Sequence, residues 1–273
     1  MAIDLFTIGS FTIHGYGLMI GIGFMVAVLV GSWRCDHQLK LSGDDFSTLA
    51  ILVLVFCFVG GKILFTIVEF KSFLQNPLSV ISSSGFVVYG GIFSGVLTIY
   101  LFCKIKKVSF LSYLDAIVPS VALNQGFGRL GCFMAGCCYG RETTSHFSVV
   151  FPENSLAPAG VHLIPTQLYS AAFDLLLGVV MIVNYRKFKR RGDVAVMYFG
   201  CYAIGRFIIE FFRNDERGAV GALSTSQFIS ILMLAFSVAL YFINKKLNLK
   251  PSWMEDTGAQ DTEAETETAA AEV

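Results

Sequence analysis

The 273-residue chain is 55% hydrophobic and only 15% charged, with a mean hydropathy of +0.66. A soluble domain carries roughly 25% charged residues, so the composition excludes a water-soluble globule and predicts an all-α, polytopic integral membrane protein. The zero net charge joins two unequal parts: residues 255–273 hold seven acids and no base, which leaves 20 Lys and Arg against 13 Asp and Glu in the body.

The first reading is therefore one membrane domain over residues 1–250, then an acidic, disordered cytoplasmic tail over 251–273. No basic stretch precedes the first apolar run, so no cleaved signal peptide is expected. Crossing the hydrocarbon as a helix takes ~20 residues. Seven segments meet that length: 13–33, 47–69, 85–103, 116–138, 166–185, 194–212 and 224–243. Lys and Arg set their direction. Thirteen bases follow segments one, three, five and seven: Arg34 and Lys40; Lys104, Lys106 and Lys107; Arg186, Lys187, Lys189, Arg190 and Arg191; Lys245, Lys246 and Lys250. The opposite side has Lys71, Arg141 and Arg217. The N-terminus is then outside and the C-terminus cytoplasmic. Lys62, Arg129, Arg206 and Arg213 fall within the membrane or at its edge.

Segment one begins near Tyr16, where an aromatic ring suits the interfacial belt, and ends at Trp33, an expected interfacial anchor. Segment three opens on Tyr89-Gly90-Gly91, and Gly91 and Gly95 fit close helix packing through small residues. Segment four is the least regular. It carries Asn124, Gln125 and the run Gly128-Arg129-Leu130-Gly131-Cys132-Phe133-Met134-Ala135-Gly136-Cys137-Cys138-Tyr139-Gly140. An Arg at bilayer depth costs at least roughly 2.5–3.5 kcal/mol, and Arg does not escape that cost by losing its proton. Arg129 therefore needs a wet cavity, a carboxylate or an anionic ligand. A broken or re-entrant helix is expected here, lining a cavity. Asp115 lies near the inner edge of this segment.

Of seven cysteines, Cys35, Cys57, Cys103 and Cys201 are scattered and read as apolar fillers. Cys132, Cys137 and Cys138 are clustered, and three readings compete. They are small packing residues, or Cys132 and Cys137 form a disulfide, or the group holds reactive thiols or a metal. Their spacing matches no standard zinc pattern, so no metal is expected. A thiol beside Arg129 is a candidate for reactivity.

Residues 140–165, with Pro152, Pro158, Pro165, His146 and His162, read as an irregular external cap. Pro165-Thr166-Gln167-Leu168-Tyr169 then starts segment five, where Pro suits a helix start. Asp174 in that segment is a carboxylate able to neutralise a nearby Arg. Segment six carries Arg206, Glu210 and Arg213, whose spacing places all three on one helical face within about 40°. Arg206 and Glu210 pair within the helix, and one positive charge remains. The group is either an ion-pair network that fixes packing or a site for an anionic headgroup, to which Arg offers bidentate hydrogen bonds.

The run Gly128–Gly140 resembles the signature G-R-x-G-N-F-x-N-x-E-x-x-G of the bacterial prolipoprotein diacylglyceryl transferase family. Gly205-Arg206-Phe207-Ile208-Ile209-Glu210-Phe211-Phe212-Arg213 is similar to its G-R-[FY]-x-x-E-F-F-R segment. Tyr16-Gly17-Leu18, Gln167-Leu168-Tyr169 and Ser226-Gln227 resemble three further elements in the same order. The resemblance covers about residues 10–245. Cys132 and Ala135 stand where the signature has Asn, and Cys137 where it has Glu. Tyr89 stands where an H-G-G element has His, and Ile164 and Ser170 replace a flanking His and Glu.

The resemblance implies a multi-pass enzyme of the bacterial inner membrane, with 1–250 as its catalytic domain. It would move diacylglycerol from phosphatidylglycerol to the thiol of a prolipoprotein lipobox cysteine, releasing glycerol phosphate. It implies catalytic roles for Arg129, Arg206, Glu210, Tyr89 and Tyr16. Substrate binding would fall to Arg129, Arg206, Arg213, Gln167, Tyr169 and Gly140, with Cys132, Cys137 and Cys138 as candidate reactive thiols. Membrane lipids are the other expected partners. No cofactor and no nucleic acid is expected. The alternatives are a divergent relative that transfers a lipid group to another acceptor, and a non-catalytic lipid-binding or transport protein.

Overall fold

The computed structural model describes residues 4–8, 11–83, 85–214, 218–221 and 223–254. Seven long helices coincide with the seven expected segments: α1 (Gly15–Arg34), α2 (Gly43–Val68), α5 (Val88–Lys106), α6 (Phe110–Ala135), α7 (Thr166–Val183), α8 (Asp193–Glu210) and α9 (Thr225–Leu247). Two short helices, α3 (Phe70–Gln75) and α4 (Pro77–Ser82), lie between α2 and α5. A strand pair, β1 (Asp4–Ile8) and β2 (Phe11–His14), leads into α1, and one π-helical turn, Cys35–Leu39, follows it.

The protein is an integral membrane protein. Helices α1, α2, α5, α7 and α9 are long and apolar enough to cross a bilayer. Their outward faces carry Phe93, Leu176 and Phe242 at 75%, 63% and 60% exposure, far more contiguous apolar surface than a protein in water tolerates. Helices α6 and α8 are more polar because they carry the ionisable groups. Helix α6 is central, packing on α1 and α7 and also touching α8 and α5. Val118 and Ala122 of α6 join Leu177 and Met181 of α7, Tyr198 of α8 and Leu240 of α9 in the main apolar core.

The expected break in segment four is absent. Helix α6 runs 26 residues without interruption, Pro119 included. Its glycines serve close packing instead: a Cβ at Gly131 would sit 3.1 Å from the Tyr16 carbonyl oxygen of α1. Helix α5 is tied to α2 in the same way. Ser94 Oγ donates to the Phe56 carbonyl at 2.8 Å, and Cys57 Sγ donates to that of Gly91 at 3.1 Å. Lys62 turns its ammonium onto the Ser83 and Gly85 carbonyls at 2.6 and 3.2 Å.

Order extends past residue 250. Residues Ser252–Met254 form a 3-10 turn, and Trp253 packs edge-on against Tyr185, ring centroids 5.5 Å apart. The acidic stretch 255–273 lies outside the described residues.

Asp115 joins α6 to α8. Helix α8 begins after Gly192, which has no side chain to cap it. The buried Asp115 carboxylate takes that part, accepting from the Gly192 N–H at 2.6 Å and the Ala195 N–H at 3.0 Å. A carboxylate there satisfies orphan donors and meets the positive end of the helix dipole. Asp115→Ala should therefore cost on the order of 1–3 kcal/mol, read as a lower unfolding temperature in detergent. Asp115→Asn, which keeps one acceptor, should lose less.

Candidate active site

The C-terminal turn of α8 meets the N-terminus of α9 through a polar network. Arg206 Nη1 and Glu210 Oε2 form an ion pair at 2.7 Å, as their spacing predicts. Arg206 Nη2 donates to Ser226 Oγ and Ser224 Oγ donates to Glu210 Oε1, both at 2.8 Å. Ser224 also caps α9 in a reciprocal box with Gln227. The Arg206 guanidinium is thus held by two helices, and its charge is matched by Glu210.

Arg129 approaches from α6 without such a partner. Among the described residues it makes no hydrogen bond or ion pair, although Tyr202 and Asp174 lie within electrostatic range. Asp174 of α7 is 3% exposed and faces both Arg129 and Arg206. These groups border a cavity of ≈ 410 Å³ between α6, α7 and α8. Its rim is apolar and outward-facing: Tyr169, Phe173, Ile204 and Ile208 are all exposed. Asp174 thus faces two arginines, of which Arg206 is also paired with Glu210.

The third feature is the turn after α6. Gly136 ends the helix at φ +71°, a left-handed conformation that favours glycine. Cys138 then adopts φ +62°, which is uncommon for a residue with a side chain. Two buried residues of α7 hold it there. Thr166 Oγ1 donates to the Cys138 carbonyl at 2.8 Å, and Gln167 Nε2 donates to the Cys137 carbonyl at 2.7 Å. None of the three cysteines is in a disulfide, so the Cys132–Cys137 bridge is not formed. Their Sγ atoms lie within 4.8 Å of one another. Arg213 and Arg129 lie within electrostatic range of the Cys138 thiol.

The family model described as prolipoprotein diacylglyceryl transferase matches residues 4–243. The chain belongs to the prolipoprotein diacylglyceryl transferase family. It is 47% identical over 248 residues to the phosphatidylglycerol–prolipoprotein diacylglyceryl transferase 2 of Clostridium perfringens (strain 13 / Type A), which covers 90% of this chain and 96% of that protein. It is 42% identical over 245 residues to the phosphatidylglycerol–prolipoprotein diacylglyceryl transferase of Clostridium tetani (strain Massachusetts / E88), covering 88% and 97%. A Clostridium botulinum (strain Langeland / NCTC 10281 / Type F) relative of the same printed name is 31% identical over 247 residues, covering 88% and 96%.

In this member of the transferase family, the fold assembles most of the residues singled out in the sequence. Arg129, Arg206 and Tyr169 border one cavity, with Glu210 fixing Arg206. Tyr16 lies within electrostatic range of Arg129 and the three cysteines. Tyr89 is not brought to them: it is half exposed on the first turn of α5, does not border the cavity and makes no hydrogen bond among the described residues. Arg213 does not share a helical face with Arg206, because α8 ends at Glu210. It lies instead in the segment that bridges to Gly140. Gln167 is buried; its Nε2 donates to the Cys137 carbonyl, and its Oε1 has no hydrogen-bond partner among the described residues.

Thr166 and the serine pair Ser224 and Ser226 went unassigned in the sequence as polar contributors. Ser224-x-x-Gln227 is a legible capping signal; the reach of Thr166 to residue 138 had no local signal.

Gly140 closes the joint between the two halves of the site. Its N–H donates to the Ile164 carbonyl at 3.0 Å, and the Arg141 N–H donates to that of Phe212 at 2.9 Å. A Cβ at Gly140 would lie 2.7 and 2.8 Å from those same two carbonyl oxygens. Gly140→Val should destabilise the protein by about 1–3 kcal/mol. It should also abolish bismaleimide cross-linking between Cys138 and a cysteine placed at 213, measured by mass spectrometry of tryptic peptides.

Proposed function

We propose that this protein transfers the diacylglyceryl group of phosphatidylglycerol to the thiol of a prolipoprotein lipobox cysteine, releasing glycerol phosphate. The observation that carries this reading is Arg129. It is a permanent charge with no hydrogen-bond or ion-pair partner among the described residues, beside a fixed second arginine, in a cavity whose rim is apolar and faces the lipid. A phospholipid matches that arrangement, with its phosphate on the guanidiniums and its acyl chains against Phe173, Ile204 and Ile208.

The reaction forms a C–S bond and breaks the glyceryl C–O bond. The electron pair of that bond passes to the phosphate oxygen, so negative charge builds there in the transition state. Arg129 and Arg206 are placed to oppose it, and pre-fixed charges need no reorganisation at that moment. Glu210 orients Arg206, and Tyr16 lies within electrostatic range of both Arg129 and the three cysteines. Residues 1–250 would be the catalytic domain.

The topology that fits is seven crossings, N-terminus outside and C-terminus cytoplasmic, in the bacterial inner membrane. Its support is the gathering of bases at one end of the bundle. There Lys106 pairs with Asp45 at 2.7 Å, Arg34 donates to the Ala116 carbonyl at 3.1 Å, and the Arg191 N–H donates to that of Leu249 at 3.0 Å. The arginine site then lies toward the outer half.

With protein in phosphatidylglycerol micelles and a lipobox peptide, mass spectrometry should find one diacylglyceryl group added per peptide. Arg129→Ala should lower kcat/KM by at least ~10²-fold, the usual loss for one such electrostatic contact. A folded protein that gives no adduct would remove this reading. In intact cells, a cysteine at Thr144 should react with a membrane-impermeant maleimide, and one at Lys189 should not; the reverse pattern would invert the topology.

A further inference from the structure

We propose that Cys132, Cys137 and Cys138 form a binding site for one soft divalent cation of the zinc class, with its open fourth position taking the acceptor peptide's thiol. The fourth-ligand half of this inference rests on the transferase reading; the metal site does not.

The geometry is close to what such a cation needs. Zinc–sulfur bonds of about 2.3 Å set the sulfur–sulfur edges of a tetrahedral site at about 3.8 Å. The three Sγ atoms already lie within 4.8 Å of one another. All three side chains are partly exposed and none is in a disulfide, so small χ rotations close the difference. A three-sulfur donor set selects zinc-class or monovalent copper ions over hard cations. Packing alone gives no reason for three sulfurs to converge. The isolated Cys35 and Cys103, each sunk in a separate apolar cluster, are what filler cysteines look like here.

The surroundings are built for the same purpose. Thr166 and Gln167 clamp the carbonyls of two of the ligands, as outer-shell partners of metal ligands do. They hold Cys138 in its left-handed conformation, and strain of this kind persists only where the surroundings over-determine it. Three thiolates and one divalent cation carry a net charge of minus one. Arg129 and Arg213 both act on Cys138 and offset that charge.

Three protein ligands leave one position open, which is the arrangement of catalytic rather than structural zinc. A thiol that coordinates there gives its proton to water. The bound thiolate attacks the glyceryl carbon, the C–O bond breaks toward phosphate, and the neutral thioether leaves as a weaker ligand. The cation is unchanged throughout. This supplies the deprotonation for which no imidazole lines the arginine cavity among the described residues: His146 and His162 are exposed in the loop after α6, and Tyr89 stands apart.

The test uses full-length protein, purified reduced and stripped with a chelator, then titrated with Co²⁺. Sulfur-to-cobalt charge-transfer absorption should saturate at one Co²⁺ per chain and be displaced by Zn²⁺. Cys137→Ser and Cys138→Ser should each lose most of it, and Cys57→Ser should keep it. Bound Co²⁺ should also protect the wild-type thiols from maleimide, a readout that needs no variant to fold. A lipobox peptide should change the cobalt spectrum, and its Cys→Ser version should not.

No charge-transfer band and no protection would overturn the metal site, even if peptide transfer proceeds. A band that the cysteine peptide leaves unchanged would overturn the fourth-ligand role. A band with no lipid adduct would keep the metal site and remove the transferase reading on which that role depends.

Discussion

The positive charge of Arg129 is the constraint from which the rest of the site follows. It cannot be discharged, and it sits on a helix enclosed by others in a membrane. Helix α6 pays for it in composition: it is the central helix, screened from lipid by α1 and α7, and too polar to serve at the periphery. Asp174 and Tyr202 surround the guanidinium at electrostatic range without neutralising it. Arg206, by contrast, is paired with Glu210 and donates to Ser226, while Ser224 holds Glu210. One arginine is thus a fixed strut and the other has no such partner, and in the proposed function this difference gives the cavity its preference for an anion.

The joint between the turns after α6 and α8 converts this pair into a larger site. Short backbone pairings between Gly140–Arg141 and Ile164, and between Arg141 and Phe212, draw Arg213 toward the cysteines. The start of α7 locks the same turn through Thr166 and Gln167. Arginines and sulfur-bearing residues come to lie side by side for that reason, although they belong to separate segments. A reaction that joins a thiol to a phospholipid carbon needs this adjacency.

Helix existence was legible in the sequence because bilayer thickness dictates a minimum apolar length, and seven stretches met it. The Arg206–Glu210 pair was legible because i,i+4 spacing is a local rule. What failed were inferences that carried a local rule past the end of its element. Arg213 was placed on the face of Arg206, yet α8 stops three residues earlier. The glycines of α6 suggested a break, yet they admit Tyr16 and neighbouring helices to close range while the helix continues. The convergence of the three cysteines is not legible in their spacing because Gly136 turns the chain between Cys132 and Cys137. Tyr89 was chosen by its alignment with a motif, and motif position carries no information about which face of α5 meets the site.

The most direct test of the central claim is the lipid selectivity of the purified protein, read by native mass spectrometry with equal phosphatidylglycerol and phosphatidylcholine. If the unmet charge of Arg129 holds the headgroup, wild-type protein should retain phosphatidylglycerol preferentially, and Arg129→Gln should bind both lipids alike. An unchanged preference in Arg129→Gln would contradict the account.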